Sequence, residues 1–468
     1  KFIEESLTID KFNLGCRFEK YFIGNNLTEL QEMTSMLNGS VHNYIEYAFD
    51  FASAGMYEEA SQIMHIYMEG RTDVYPMAAY MLGYFASRSG NEEVARQWYQ
   101  KAQSLSPDKC FPNRIDEINV LTDAMRMNPA DYKAPYYLGN FWYAHRRYEE
   151  AISCWEKSVE INNQFPTALR NLSLAYYNKR NKKEEARQLL EKAFELDKTD
   201  SRIFMELDQL YKKTGRAHAE RLALLEKHLD LVEQRDDLCI ERITLYNLLG
   251  DYEKAKDLIS NRKFHPWEGG EGKVTGQYIL CRVELAKKAI KENRYSEAVA
   301  LLKETEFYPH NLGEGKLSNA EENEVDYYKG IAYQKLGNDA ESTKYLMKAT
   351  QGSTEPQQAF YYNDQQPDKI FYQGLAWRAL GEENKARSRF NKLIDHGKKH
   401  LFDDCKIDYF AVSLPELAIW EDNLNIRNQI HCYYVMALGY SGLGKEELAE
   451  EYYEKVKRLD VNKQVFRM

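Results

Sequence analysis

Proline is scarce in this chain, 11 among 468 residues. A residue that removes an amide donor and breaks helices is therefore nearly absent, which suits an all-helical chain. Paired cysteines are lacking too. The seven are Cys16, Cys110, Cys154, Cys239, Cys281, Cys405 and Cys432, an odd count with no C-x-x-C pair. That argues against a disulfide or zinc framework; buried thiols suit a reducing compartment and favour the cytoplasm, although a removed leader would leave the compartment open. No apolar run approaches the roughly 18 residues of a membrane span, and mean hydropathy is −0.67, so no membrane insertion is expected. Positive charge is not in excess: Lys+Arg is 63 against Asp+Glu 73, a net charge of −10. That balance argues against a nucleic acid as the main partner, and none is expected.

Catalytic fingerprints are missing as well. There is no phosphate loop, nucleophile elbow, H-E-x-x-H or dinucleotide motif. Gly439-Tyr440-Ser441-Gly442 falls one residue short of an elbow. His265 and His310 have no second histidine at ligand spacing, so neither a metal nor a cofactor is expected.

What the chain does have is repetition. A Gly, Asn or Arg is followed five residues later by a small residue: Gly55 and Ala60, Gly90 and Ala95, Arg146 and Ala151, Asn181 and Ala186, Gly250 and Ala255. The same holds for Asn293 and Ala298, Gly337 and Ser342, Gly381 and Ala386, and Gly444 and Ala449. Gly215 opens a tenth unit in which Glu220 fills the second position. Polar, often acidic residues lie between, which predicts a helix end, a left-handed cap and a new helix start. Seven residues before the turn stands a small side chain in most units: Ala48, Gly83, Gly139, Ala286, Gly330, Gly374 and Ala437. Four before it stands an aromatic such as Phe51, Trp142, Tyr246 or Trp377. Small and aromatic positions three apart share one helix face, so the small residue admits a partner helix. Two units fit poorly, those around Leu174 and Asp208.

The early steps between second-helix positions are mostly 34 or 35 residues, and later ones lengthen to 43 or more. This pattern, as in Tyr137-Leu138-Gly139 followed by Tyr148-Glu149-Glu150-Ala151, resembles the tetratricopeptide repeat, a helix–turn–helix unit of 34 residues. It predicts an all-α, right-handed α-solenoid of about ten to eleven helix pairs. The expected divisions are 1–40, a truncated first repeat and helix pair; 41–260, regular repeats with an insertion near 107–130; and 261–468, lengthened repeats with loop insertions. Ser6-Leu7-Thr8-Ile9-Asp10 looks like the tail of a second helix, so more sequence is expected upstream of Lys1.

Two connections also repeat each other. Phe264–Lys273 and Phe307–Lys316 both read F-x-P-x-x-x-G-E-G-K and lie one lengthened repeat apart. Stacking should bring them side by side. Glycines let a ligand approach the main chain, and Lys273 and Lys316 suit an anion. Glu271 and Glu314 suit sugar hydroxyls or an acid/base pair at the roughly 5–9.5 Å separation of glycosidases. The architectural alternative makes the same residues turn-formers. Trp267, Glu268 and His310 complete the candidate surface of the two loops. Insertions supply Tyr409 and Glu416 as further candidate binding residues, with Tyr361, Tyr362, Phe410 and Trp420 as stacking platforms.

The Phe264–Lys273 loop and the Asp408–Asp422 insertion resemble the helical C-terminal region of a bacterial multidomain family. Its members carry an uncharacterised, mutarotase-like β-sandwich domain ahead of tetratricopeptide repeats. The resemblance implies a carbohydrate-related context and supplies no catalytic residues. The expected function is a non-catalytic scaffold for domain–domain or protein–protein interaction, its partner being an upstream domain or another protein. The alternative is an accessory part of a glycan-acting enzyme whose paired loops contribute to a sugar site, with carbohydrate as a ligand.

Overall fold

Helices are the regular elements of the computed structural model, which describes residues 1–267, 269–318, 320–359, 365–406 and 419–464. Among them there are no strands. The chain divides into two compact units, Lys1–Asp197 and Lys198–Met468.

The first unit opens with α1 (Phe2–Ile9), α2 (Leu14–Gly24) and α3 (Leu27–Leu37). Next come α4 (Val41–Ser53), α5 (Tyr57–Met68), α6 (Pro76–Arg88) and α7 (Glu92–Ser104). The expected insertion contains α8 (Asp116–Met127), and α9 (Lys133–Ala144), α10 (Tyr148–Ile161), α11 (Pro166–Arg180) and α12 (Lys183–Leu196) follow. The second unit starts with α13 (Ser201–Lys213), α14 (His218–Lys227), the short α15 (Leu229–Val232), α16 (Asp236–Leu248) and α17 (Tyr252–Asn261). It continues with α18 (Lys273–Lys291), α19 (Tyr295–Lys303), α20 (Asn323–Lys335) and α21 (Asp339–Ala349). It ends with α22 (Pro367–Ala379), α23 (Glu383–His400), α24 (Leu424–Gly442) and α25 (Glu446–Leu459). Apart from α1, α8 and α15, these form eleven consecutive pairs, five in the first unit and six in the second.

Each turn is built as the repeat predicts. All ten turn residues, from Gly55 to Gly444, have φ between +50° and +84°. The following amide closes the cap: Met56, Arg147, Asp251 and Lys445 donate to the carbonyls of Phe51, Trp142, Tyr246 and Tyr440, each at 2.9–3.0 Å. Only glycine adopts this torsion without strain; Arg146, Asn181 and Asn293 hold it in three units. Side-chain oxygens of Asn91, Asp251 and Asn338 then cap the next helix.

The small positions are contact points. A Cβ on Gly83, Gly139, Gly330 or Gly374 would fall 2.4–2.7 Å from the side chain of Tyr99, Trp155, Leu346 or Phe390. Each of those knobs lies four residues beyond the small marker of the second helix, one turn along the same face. The alanines Ala48, Ala286 and Ala437 are fully buried in the same role. Core clusters accordingly run from pair to pair along each unit.

The two poorly fitting units differ by one residue each. In α11 the small residue is Ser173, whose hydroxyl donates to the Ala186 carbonyl at 2.6 Å. The cap there spans one residue more, from Lys182 N to Tyr176 O. In the unit of Gly215, α14 starts one residue late, at His218. The marker position therefore falls to Arg221 and not to the exposed Glu220, and Arg221 reaches Asp208 on α13. A buried ion pair stands where other units place two small residues.

Candidate functional site

The duplicated loops lie together. Phe264 N donates to Asn311 O at 2.7 Å, joining the two segments through their main chains. Asn311 Nδ2 donates to the carbonyls of Ile259 and Arg262 at 2.9 and 2.8 Å, tying the second loop to the end of α17. Gly313 has φ +77°, and a Cβ there would meet the Phe264 carbonyl oxygen at 2.8 Å. Here the glycine is required twice, by torsion and by close approach.

The loops share a sequence and not a conformation. Positive φ occurs at Gly269 and Gly272 in the first and at Gly313 in the second. Phe264 is buried, whereas its counterpart Phe307 is 80% exposed. Trp267 is half-buried and lies over Gly270, where a Cβ would be 2.2 Å from the indole. His310 is exposed at the start of a short 3-10 turn, His310–Leu312.

Their charged groups have different partners. The Glu314 carboxylate accepts from Gly272 N and from Thr275 Oγ1, each at 3.2 Å, and so caps the N-terminus of α18. Lys316 Nζ donates to Thr305 O at 2.8 Å and to Glu322 at 2.6 Å. Glu271 is half-buried near Lys273. Lys273 is exposed over much of its surface; partial desolvation of its ammonium, then the neighbouring Lys212 charge, lowers its pKa, with Glu241, Asp237 and Glu271 opposing. Glu268, Tyr409 and Glu416, like Tyr361, Tyr362 and Phe410, lie outside the described residues. Trp420 is buried, and its indole N–H donates to Glu206 O on α13 at 3.2 Å, which leaves no open ring face for a sugar.

One prediction arises at once. Glu314→Ala should lower stability by about 1 kcal/mol through loss of a charged helix cap, and Glu314→Gln by less. Thermal unfolding of the three proteins measures it; an unchanged midpoint for Glu314→Ala would show that the carboxylate caps nothing.

Two arrangements were not visible in the sequence. The first is a buried charge cluster where α13, α14 and α16 meet. There Arg221, fully buried, donates to Asp208 at 2.7 and 3.0 Å and to Glu241 at 2.6 Å, and Lys212 pairs with Glu241 at 2.9 Å. Burial opposes ionisation of Glu241, yet Lys212 and Arg221 hold its pKa down to about 2. Asn462, from the segment after α25, meets this cluster. Only its long separation from Arg221 hid the contact.

The second is a histidine cluster between α23 and α24. The His396 and His400 rings are 4.5 Å apart and His431 is 6.0 Å from His396. His431 Nε2 donates to Gln357 O at 2.7 Å. Burial, with the Lys463 and His396 charges, lowers the His431 pKa to about 3; burial and His400 lower that of His396 to about 4. Unfolded histidine titrates near 6.5. Above that pH neither state gains a proton. As pH falls below it the unfolded chain binds protons the folded chain refuses, so stability is lost down to the folded pKa. His431 alone should cost about 3 kcal/mol on going from pH 7 to pH 4. Urea midpoints of the native protein and His431→Asn at both pH values test this; equal pH losses in the two would contradict it.

Among the described residues no group of three or more His, Cys, Asp or Glu side chains is arranged to hold a metal ion. None of the described helices is long and apolar enough to cross a membrane.

The fold and its turns define a helical-repeat protein of the α-solenoid class. Tetratricopeptide-repeat models match residues 78–109, 430–462 and 167–196, so the chain carries repeats of that kind. Solved structures of such proteins are similar to it. The P58(IPK) tetratricopeptide-repeat domain is 11% identical over 98% of each chain, with a TM-score of 0.28. PilF of Pseudomonas aeruginosa is 17% identical over 46% of this chain and 87% of its own, with a TM-score of 0.27. YrrB, described as having an unusual peptide-binding site, is 15% identical over 44% of this chain and 96% of its own, at 0.19. At such scores none of them lends a ligand or a residue role to this chain.

Proposed function

We propose that the chain is a non-catalytic protein-interaction scaffold. The observation that carries this reading is where the duplicated loops spend their chemistry. Glu314 caps a neighbouring helix and Lys316 bonds Thr305 and Glu322, so two of the four charged loop residues among those described act in packing one pair on the next. Repeats that stack in this way present first helices in series, a surface suited to extended polypeptide. The reading includes the repeats being the helical part of a longer, carbohydrate-related polypeptide, which rests on the resemblance of the Phe264–Lys273 loop and the Asp408–Asp422 insertion. Glu271 and Lys273 are what remains for the sugar-site alternative.

Selection from a displayed peptide library, with a glycan array run in parallel on the native protein and Glu271→Ala, tests the choice. Saturable peptide binding with no glycan signal is expected. Glycan binding that disappears in Glu271→Ala would replace the scaffold by a sugar site.

A further inference from the structure

The last turn of α23 reads His396-Gly397-Lys398-Lys399-His400, two histidines four residues apart on one helix face. Their ring centres stand 4.5 Å apart. His400 Nδ1 lies 2.7 Å from Asp403 Oδ2, on the segment that leaves the helix. An ionised carboxylate only accepts, so in the neutral ring Nδ1 carries the proton and Nε2 keeps its lone pair. Behind it, His396 Nε2 is shielded from solvent and has no hydrogen-bond partner among the described residues. A polar nitrogen left unpaired in that way carries a desolvation cost. His431 of α24 packs edge-on against His396, with ring centres 6.0 Å apart, and its Nε2 donates to Gln357 O at 2.7 Å. His396 is thus held between two rings that are themselves anchored.

We propose that His396 and His400 form a binding site for a divalent transition-metal ion of the zinc class. Both rings coordinate through Nε2, Asp403 is the positioning carboxylate, and water completes the shell. The site is independent of the scaffold reading and of the duplicated loops.

Four features support it. Histidines at this spacing on a helix supply two ligands to one ion, each nitrogen about 2 Å from the metal. A carboxylate on the far nitrogen fixes the tautomer and raises the basicity of the coordinating one. The pair closes a helix of 18 residues, where the macrodipole favours a cation. Asp403 adds negative charge at His396, with Lys399 opposing. Imidazole ligands select zinc, copper or nickel over magnesium and calcium. Two ligands and not three make the site exchangeable, in keeping with the lack of a three-residue cluster among the described residues. The ion would act on the chain that leaves α23. That chain is already laid along α24, since Asn428 Nδ2 donates to His400 O at 2.7 Å and Cys405 N donates to Asn425 Oδ1 at 2.9 Å. An ion on His400 steadies the same departure.

Equilibrium dialysis of the full chain against Zn2+, after stripping with a chelator, tests the proposal. The native protein should take up one ion that Mg2+ does not displace. His396→Ala/His400→Ala should lose that ion, and Asp403→Asn should bind it about tenfold more weakly. His265→Ala/His310→Ala should bind as the native protein does. Circular dichroism confirms that each variant is folded. Cu2+ in less than equimolar amount gives a readout that needs no variant: its paramagnetic resonance spectrum should show coupling to two imidazole nitrogens. No uptake by the native protein at millimolar Zn2+, or equal uptake by the native and the folded His396→Ala/His400→Ala proteins, overturns the proposal. So does loss of the ion in His265→Ala/His310→Ala, which would place it at the loops.

Discussion

Arg221→Met should be among the most damaging single substitutions in the chain, with a loss of about 3–5 kcal/mol. The guanidinium is fully buried and pairs with Asp208, itself 1% exposed, and with Glu241. Methionine has a similar length and no charge. Removing the cation leaves the Asp208 carboxylate in a place where water cannot replace it, and an unpaired buried charge costs more than the pair gained. Glu241 keeps Lys212 at 2.9 Å and is affected less. Asp208→Leu/Arg221→Met should recover much of the loss, because apolar residues of similar volume often replace a buried pair at little cost. Urea unfolding of the native, single and double variants measures the order. A double variant as unstable as the single one, or a single variant within 1 kcal/mol of native, would show that this unit does not depend on the pair. The released Asn462 contact adds a second readout, since Arg221 Nη1 is one of its donors.

The same position shows how far the sequence could be read. Turn residues were legible because one torsion admits few residue types, and all ten are left-handed in the structure. Small positions were legible because helix–helix approach demands them, and Gly83, Gly139, Gly330 and Gly374 each face a large knob. Register failed where an insertion of one residue left the spacing rule intact in appearance. Glu220 sits at the expected distance from Gly215, but α14 begins at His218 and rotates Arg221 inward. Asp208, thirteen residues before Arg221, was the available signal, since an acid at a small position needs a cation nearby. The paired loops were legible as neighbours. Their different torsions were not, because identical residues at Gly270 and Gly313 answer to different surroundings, Trp267 in one case and the Phe264 carbonyl in the other. The contact of Asn462 with α13 and α14 joins segments 241 and more residues apart. No periodicity encodes that closure.

Gly439→Ala should cost about 2–3 kcal/mol, the upper range for one added methyl in a packed core. The reason is what the methyl meets. A Cβ at Gly439 would be 2.6 Å from Phe390 O and 2.6 Å from Ile394 Cγ1. A carbonyl oxygen in the middle of α23 cannot step aside without moving the helix. Opposite it, a Cβ at Gly397 would be 2.7 Å from Cys432 O, so the α23 and α24 backbones approach each other at two points. Phe390 itself is fully buried, with Gly374 and Gly442 also against its ring. The glycines of Gly439-Tyr440-Ser441-Gly442 thus serve helix approach within α24 and not a nucleophile turn. Gly276 gives the matched control: it lies in α18, is exposed, and has nothing within 4 Å of its Cβ position. There the helix preference for alanine acts alone, and Gly276→Ala should stabilise by about 0.5–1 kcal/mol. Opposite signs in the two thermal midpoints are the expected result. A stabilised Gly439→Ala would mean that α23 and α24 lie farther apart than the 2.6 Å contact requires, and the tight pairing inferred from the small positions would not hold at this end of the chain.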